Sequence, residues 1–323
     1  MIIQCQLCPK ACRLAPGGRG DCRIRANIDG KLRALTYGKP CSIHVDPIEK
    51  KPLFHFYPGS PILSIATAGC NLHCKNCQNW EISQADPETI AAYDAGPQDI
   101  ITLAAREQCS MVAYTYTDPA AFYEYALDTS LLARTRGLKN VLVTAGYLNQ
   151  APLKKILAVT DAAHIDLKFF DDRLYREMTS GTLKPVLETL VTAKAMDVWI
   201  EIIHLIIPTI NDDFDMIRSM CVWIRQNLGS EVPIHFSRFY PQYLLKNIPP
   251  TPVETLRRAR DIAREAGLAY VYIGNVWGEA EDTRCPHDGS LLIQRIGYTI
   301  KEYNLLAGGT CKTCGNVIAG RWR

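Results

Sequence analysis

Long apolar runs are missing from this chain of 323 residues. A bilayer-spanning helix needs about 20 consecutive apolar residues. The longest candidate, IEIIHLIIP, has strand length and carries Glu201 and His204. The opening residues, MIIQCQLCPK, lack the pattern of a secretory signal. The expectation is a cytosolic protein without a membrane partner. Also missing are a GxGxxG dinucleotide fingerprint, a phosphate-binding P-loop and a nucleophile elbow. No internal repeat or low-complexity tract is present. Nor does charge of one sign dominate. The 36 Lys and Arg stand against 33 Asp and Glu, a net of +3. That balance gives no whole-chain case for nucleic acid.

Cysteine is what the chain does have, 13 of them, in clusters. Close Cys-x2-Cys pairs suit metals better than disulfides in a reducing compartment. The central group lies in ILSIATAGCNLHCKNCQNWEIS, where an apolar run ends at Gly69 and a tight loop begins. Cys70, Cys74 and Cys77 are spaced to bind three irons of a cubane cluster from one loop. The fourth iron then has no protein ligand and can bind a cofactor or substrate and pass it an electron. A structural zinc would want a fourth ligand close by, and none follows Cys77 in this loop.

Two further groups flank the centre. Cys5, Cys8, Cys12 and Cys22 offer four thiols to a tetrahedral zinc or to a second, fully ligated cubane. Spacing does not separate the two, and zinc is the first expectation. Residues 1–40 carry a net charge of +6. That excess either offsets a metal–thiolate site or receives an acidic protein partner. In the tail, Cys311 and Cys314 face a knuckle reading Cys285-Pro286-His287-Asp288. Cys285 with His287 or Asp288 would complete a zinc site there, since zinc accepts nitrogen and oxygen as well as sulfur. Loss of that metal is the alternative. Cys41, Cys109 and Cys221 read as core thiols.

The organisation follows the same three parts. Residues 1–60 are rich in Gly, Pro, Cys and Arg and lack a helical period, as expected of a module folded around a metal. From 61 to 277, seven β-rich apolar runs (62–68, 111–117, 140–146, 162–168, 198–207, 233–239, 269–275) alternate with helical patterns. Those helical stretches are 99–108, 119–135, 151–159, 183–196, 212–228 and 252–267. Such alternation predicts parallel βα units, as a barrel or a doubly wound sheet. Either way ligands bind at the carboxyl ends of the strands. Cys70, Asp118, Thr144, Gly146, Asp166 and Lys168 all fall there, and Asp166 and Lys168 share one strand face. Residues 278–323 form a second Cys-bearing module resembling a zinc ribbon or rubredoxin hairpin.

The loop CNLHCKNC resembles the signature of the radical S-adenosylmethionine (SAM) superfamily. With CQLCPKACRLAPGGRGDC, VDPIEKKPLFHFYPGS, YTYTDPAAFYEYALD, HIDLKFF and HFSRFYPQY, the chain resembles the radical SAM enzymes of AmmeMemoRadiSam systems, relatives of pyruvate formate-lyase activating enzymes. The resemblance implies an α/β fold: a partial (β/α)6 TIM-like barrel with Cys-rich modules at both ends. It implies a 4Fe–4S cluster on Cys70, Cys74 and Cys77, and reductive cleavage of SAM to a 5′-deoxyadenosyl radical that abstracts hydrogen from a substrate. The cofactor supplies the difficult chemistry and the protein its position. Asn76 and Gln78 match positions of adenine and backbone contact. Thr117 and Asp118 replace the usual Asn-Glu that receives the SAM amino group, so the carboxylate is one methylene shorter. Thr144 and Gly146 match a turn near the ribose, with Ala145 in place of Asn. Asp166 and Lys168 match a triplet that touches SAM. Implied partners are a flavodoxin or ferredoxin donor, and Memo-like and AMMECR-domain proteins. The rival reading is an iron–sulfur electron carrier without SAM chemistry.

Overall fold

The computed structural model describes residues 1–279 and 281–322. At the front, β1 (Ile3–Gln4) pairs with β2 (Arg13–Leu14), and β3 (Arg25–Ile28) with β4 (Lys31–Ala34). These ribbons are short, as expected of a Gly- and Arg-rich segment with few residues to bury.

The centre is one eight-stranded sheet. It runs β12-β11-β10-β9-β8-β7-β6-β5, with β5 (Ser42–Pro47), β6 (Pro61–Ala66), β7 (Met111–Tyr114) and β8 (Lys139–Thr144) on one side. The other half holds β9 (Ala162–Asp166), β10 (Trp199–Ile206), β11 (Ile234–Arg238) and β12 (Val271–Gly274). Strands β6 to β12 are parallel, and β5 joins β6 antiparallel. All seven expected strands are there. Their near-continuous Ile and Val runs reflect burial on both faces, the usual state of a parallel sheet. The eighth strand comes from within residues 1–60, so the last part of that segment belongs to the central sheet.

Eight helices are described: α1 (Trp80–Ser83), α2 (Pro97–Arg106), α3 (Tyr123–Thr135), α4 (Gln150–Leu157), α5 (Asp172–Thr179), α6 (Leu183–Ala195), α7 (Phe214–Leu228) and α8 (Val253–Glu265). Each strand from β6 to β11 is followed by at least one helix, which makes six βα units and a seventh strand. The sheet's ends, β5 and β12, do not pair, so the barrel is open as the resemblance implies. Two helices start at aspartate caps: Asp171 accepts from Leu174 N–H and Asp213 from Met216 N–H, each replacing a missing intrahelical partner. α3 begins at Tyr123 rather than 119, because Asp118 turns the chain by accepting from the Ala120 N–H at 2.9 Å. β7 stops at Tyr114, short of the expected 117, because Tyr116 sits at φ 62°.

Alternation along the strands sorts the core. Leu63, Ile65, Val112, Tyr114 and Ile165 point outward to the helices. Ile62, Met111, Ala113, Val141, Ala162 and Trp199 point inward, where Ile48, Leu53 and Phe56 plug the amino end of the barrel. Glu201 and His235, on the inward face of β10 and β11, are part of that plug. Glu201 is fully buried and accepts from the N–H groups of Phe54 (3.0 Å) and His55 (2.8 Å), from Trp199 Nε1 (3.1 Å), and pairs with His235 Nε2 (2.7 Å). His204 faces outward instead, its Nδ1 2.7 Å from the Leu167 carbonyl.

The tail adds β13 (Thr283–Arg284), β14 (Leu291–Ile296) and β15 (Thr299–Tyr303) as one antiparallel sheet, and β16 (Leu305–Leu306) with β17 (Thr310–Cys311) as another. It packs on Phe54, Tyr270 and Tyr272. His55 ties it down, with Nδ1 2.7 Å from the Ala319 carbonyl and Nε2 2.6 Å from the Tyr272 hydroxyl.

Candidate functional site

The three-cysteine loop leaves the carboxyl end of β6. Its entry needs Gly69, which has φ 83° and no room for a side chain: a Cβ would lie 2.6 Å from the Cys22 carbonyl oxygen. The loop is braced by its surroundings. His73 N–H donates to the Thr179 carbonyl (2.8 Å), Lys75 N–H to Met178 (2.9 Å) and Gly69 N–H to Ile82 (2.8 Å). Cys74 is buried, and Cys70 and Cys77 are half-buried. Burial pushes the Cys70 thiol up and the Cys74 thiol up to about 12. Burial thus disfavours a free thiolate at both sulfurs.

Across the same rim, Lys168 Nζ lies 2.9 Å from Asp166, whose other oxygen is 3.0 Å from His164 Nε2. Burial acts to raise the Asp166 carboxyl, but Lys168 and His164 outweigh it and hold the group well below the usual carboxylate range. Burial acts to lower Lys168, and Asp166 reverses that and raises it. The pair is therefore ionised at neutral pH. His164 was not a sequence candidate for this pair. The signal was available, since it lies two residues before Asp166 on the same strand face.

Asp118 is buried between two strand ends. It accepts from Thr144 Oγ1 (3.0 and 3.1 Å) and from the N–H groups of Ala145 (2.7 Å) and Ala120 (2.9 Å). Burial raises its carboxyl, against the pull of those donors. The carboxylate clamps the rim as much as it offers itself to a ligand. Thr117 is likewise engaged, donating to the Thr67 carbonyl at 2.9 Å, and Gly146 sits at φ 67° with its carbonyl accepting from Thr189 (2.6 Å). Asn76 is different: its Oδ1 is buried with no hydrogen-bond partner. Gln78 is exposed. Gln242, in the segment HFSRFYPQY, donates to the Asn76 carbonyl at 2.9 Å, and Tyr243 stacks on Trp80 with centroids 5.2 Å apart. These two close the loop from the β11 side.

The flanking groups differ in geometry. In the tail, Cys285, Asp288, Cys311 and Cys314 have ligand atoms all within 4.8 Å of one another. Two matching turns bring them there. Gly289 N–H bonds the Cys285 carbonyl (2.9 Å), Gly315 N–H bonds the Cys311 carbonyl (3.0 Å), and both glycines have φ near 75°, at 74° and 76°. Asp288 thus stands where Cys314 stands in the other turn, and His287 is not in the set. At the front, Cys5, Cys8, Cys12 and Cys22 line one small cavity.

Comparison with known proteins fits this geometry. Residues 64–221 match the family model described as the radical SAM superfamily. The chain is 47% identical over 318 residues to an uncharacterized protein from Methanocaldococcus jannaschii, covering 98% of this chain and 95% of that one. The chain belongs to the radical SAM superfamily. Radical SAM structures share its fold. SuiB of Streptococcus suis bound to S-adenosylmethionine aligns with TM-score 0.52 at 11% identity, over 71% of this chain and 53% of that one. A radical SAM methyltransferase from Sphaerobacter thermophilus aligns with TM-score 0.50 at 14% identity, over 73% and 71%.

Membership in the radical SAM superfamily implies a 4Fe–4S cluster, SAM, and SAM-cleaving radical chemistry. The residues present fit that cluster. The three sulfurs share one loop, yet among the described residues they form no group within 4.8 Å that would suit a single ion. Their Cys-x3-Cys-x2-Cys spacing on one loop is the chemistry of a donor set for separate irons of one cube. No described helix is long and apolar enough to cross a membrane.

Proposed function

We propose that this protein reductively cleaves SAM and uses the resulting radical to abstract hydrogen from a peptide or small-molecule substrate, as a relative of glycyl-radical activases within an AmmeMemoRadiSam system. When bound, the cluster supplies one electron that splits SAM into methionine and a 5′-deoxyadenosyl radical. Cys70, Cys74 and Cys77 hold the cluster from one braced loop. Lys168 and Asp166 present a fixed charge pair to the zwitterionic end of SAM. Asn76 offers its orphaned Oδ1 to a donor such as the adenine amino group, which would satisfy a buried acceptor that otherwise costs about 1–3 kcal/mol. Asp118 and Thr144 stiffen the rim between β7 and β8. The plug of Ile48, Leu53 and Phe56 keeps water from the barrel's amino end. A flavodoxin or ferredoxin delivers the electron, and Memo-like and AMMECR-domain proteins work alongside. In the tail, Cys285, Asp288, Cys311 and Cys314 hold zinc.

The observation that carries this reading is the three-cysteine loop facing the Asp166–Lys168 pair across one rim. An electron carrier would have no need of that pair. Anaerobically reconstituted protein, given dithionite and SAM, should release 5′-deoxyadenosine, and the Cys74→Ala protein should release none. Absence of 5′-deoxyadenosine from wild-type protein with an intact cluster would overturn the reading.

A further inference from the structure

We infer that Cys5, Cys8, Cys12 and Cys22 bind a second 4Fe–4S cluster, fully ligated by thiolate, beside the three-cysteine loop. Sulfur spacing argues first. A zinc–sulfur bond of about 2.3 Å puts tetrahedral sulfurs roughly 3.8 Å apart. The tail ligands meet that demand, with Cys285 and Cys314 sulfurs at 3.6 Å. The front sulfurs do not: among the described residues, no three of them have ligand atoms all within 4.8 Å. All four cysteines line one small cavity. Thiolates that cap different irons of a cube must stand apart in this way.

Arg25 argues second and independently. It lines the same cavity and is only 6% exposed. Its two terminal nitrogens are spent on Glu124, at 2.5 and 2.7 Å. Its Nε–H is buried with no partner. A buried cationic donor without an acceptor is costly, and a cluster with four thiolates is an anion with sulfur acceptors. One sulfur also receives a backbone donor, as iron–sulfur ligands do: Asp21 N–H points at Cys12 Sγ (3.5 Å).

The place of the cavity gives the cluster its role. Asn71, next to Cys70, lines it, and the Cys22 backbone packs on Gly69. The two cysteine loops are in van der Waals contact, close enough for an electron to tunnel between clusters. The front cluster takes one electron from an external low-potential one-electron donor and passes that electron to the three-cysteine site. This relay rests on the proposed SAM cleavage, while the presence of the cluster does not.

Metal and sulfide analysis of anaerobically reconstituted full-length protein tests the site. About eight irons per chain are expected, with zinc confined to at most one equivalent. The Cys70→Ala/Cys74→Ala/Cys77→Ala protein should keep about four irons and four sulfides, with a Mössbauer spectrum of a single cubane. Addition of SAM should alter the electron paramagnetic resonance signal of only one of two reduced clusters in wild-type protein. About four irons in wild type with two zinc ions, or an iron-free triple variant, would overturn the assignment. Arg25→Gln should keep the iron and lower the front cluster's midpoint potential, since a neighbouring cation is lost. If the irons are present but no 5′-deoxyadenosine forms, the site stands and the relay falls.

Discussion

Both ends of the chain carry four candidate ligand residues, and the fold treats them in opposite ways. In the tail, two turns of the same design bring four ligand atoms within 4.8 Å. At the front, the four cysteines ride on separate turns. Cys5 bonds the Cys12 carbonyl through its N–H (2.9 Å), Ala11 turns back on Cys8 (3.1 Å), and Arg23 on Gly20 (2.8 Å). Those turns wrap a space. The comparison teaches that cysteine spacing fixes which residues come together, while the turns fix how closely their ligand atoms approach.

The largest expected effect separates the two ends. Cys22→Ala should remove about half of the iron and leave tail zinc unchanged. Parallel loss of iron and zinc, measured on the same sample, would break the comparison. Next in size is the tail. Asp288→Ala should weaken zinc binding at least tenfold, measured by competition with a chromogenic chelator, while Asp288→Cys should tighten it and leave iron unaffected. Equal zinc affinity in all three proteins would mean that Asp288 is no ligand.

A smaller effect concerns how the tail is anchored. Burial holds the His55 imidazole down at about 4. A depressed histidine pKa means that the unfolded chain binds more protons between about pH 6.5 and 4, so stability rises with pH across that window. Each pH unit lost within it should cost up to about 1.4 kcal/mol. Urea melts of His55→Gln against wild type at pH 7 and pH 5 check this, and an unchanged difference would contradict it. The smallest effect is none: His287→Ala should leave zinc content as it is.

Most of the central fold was legible, because strands buried on both faces write themselves as Ile and Val runs. The helices were legible from their period, though α1 and α5 were not. α1 is a single turn, too short for a period to show, and α5 is held by the Asp171 cap. The cluster loop and the Asp166–Lys168 pair were legible because one spacing and one strand face define them. The Glu201 plug was not. Its carboxylate is satisfied by Phe54 and His55, about 147 residues away in sequence, and no local pattern carries a contact of that range. The choice between His287 and Asp288 was equally closed to spacing. What the match between two glycine-ended turns adds is that the Asp288 carboxylate lies beside Cys285, Cys311 and Cys314.

Gly69 has a consequence for anyone who would recombine such proteins. The Cys22 carbonyl and the Ile24 side chain occupy the space where any other residue would place its Cβ. The amino-terminal segment is therefore keyed to the central loop like a tooth in a notch. A chimera that exchanges one without the other, or that puts even alanine at the notch, would pry the amino-terminal segment away from the three-cysteine loop.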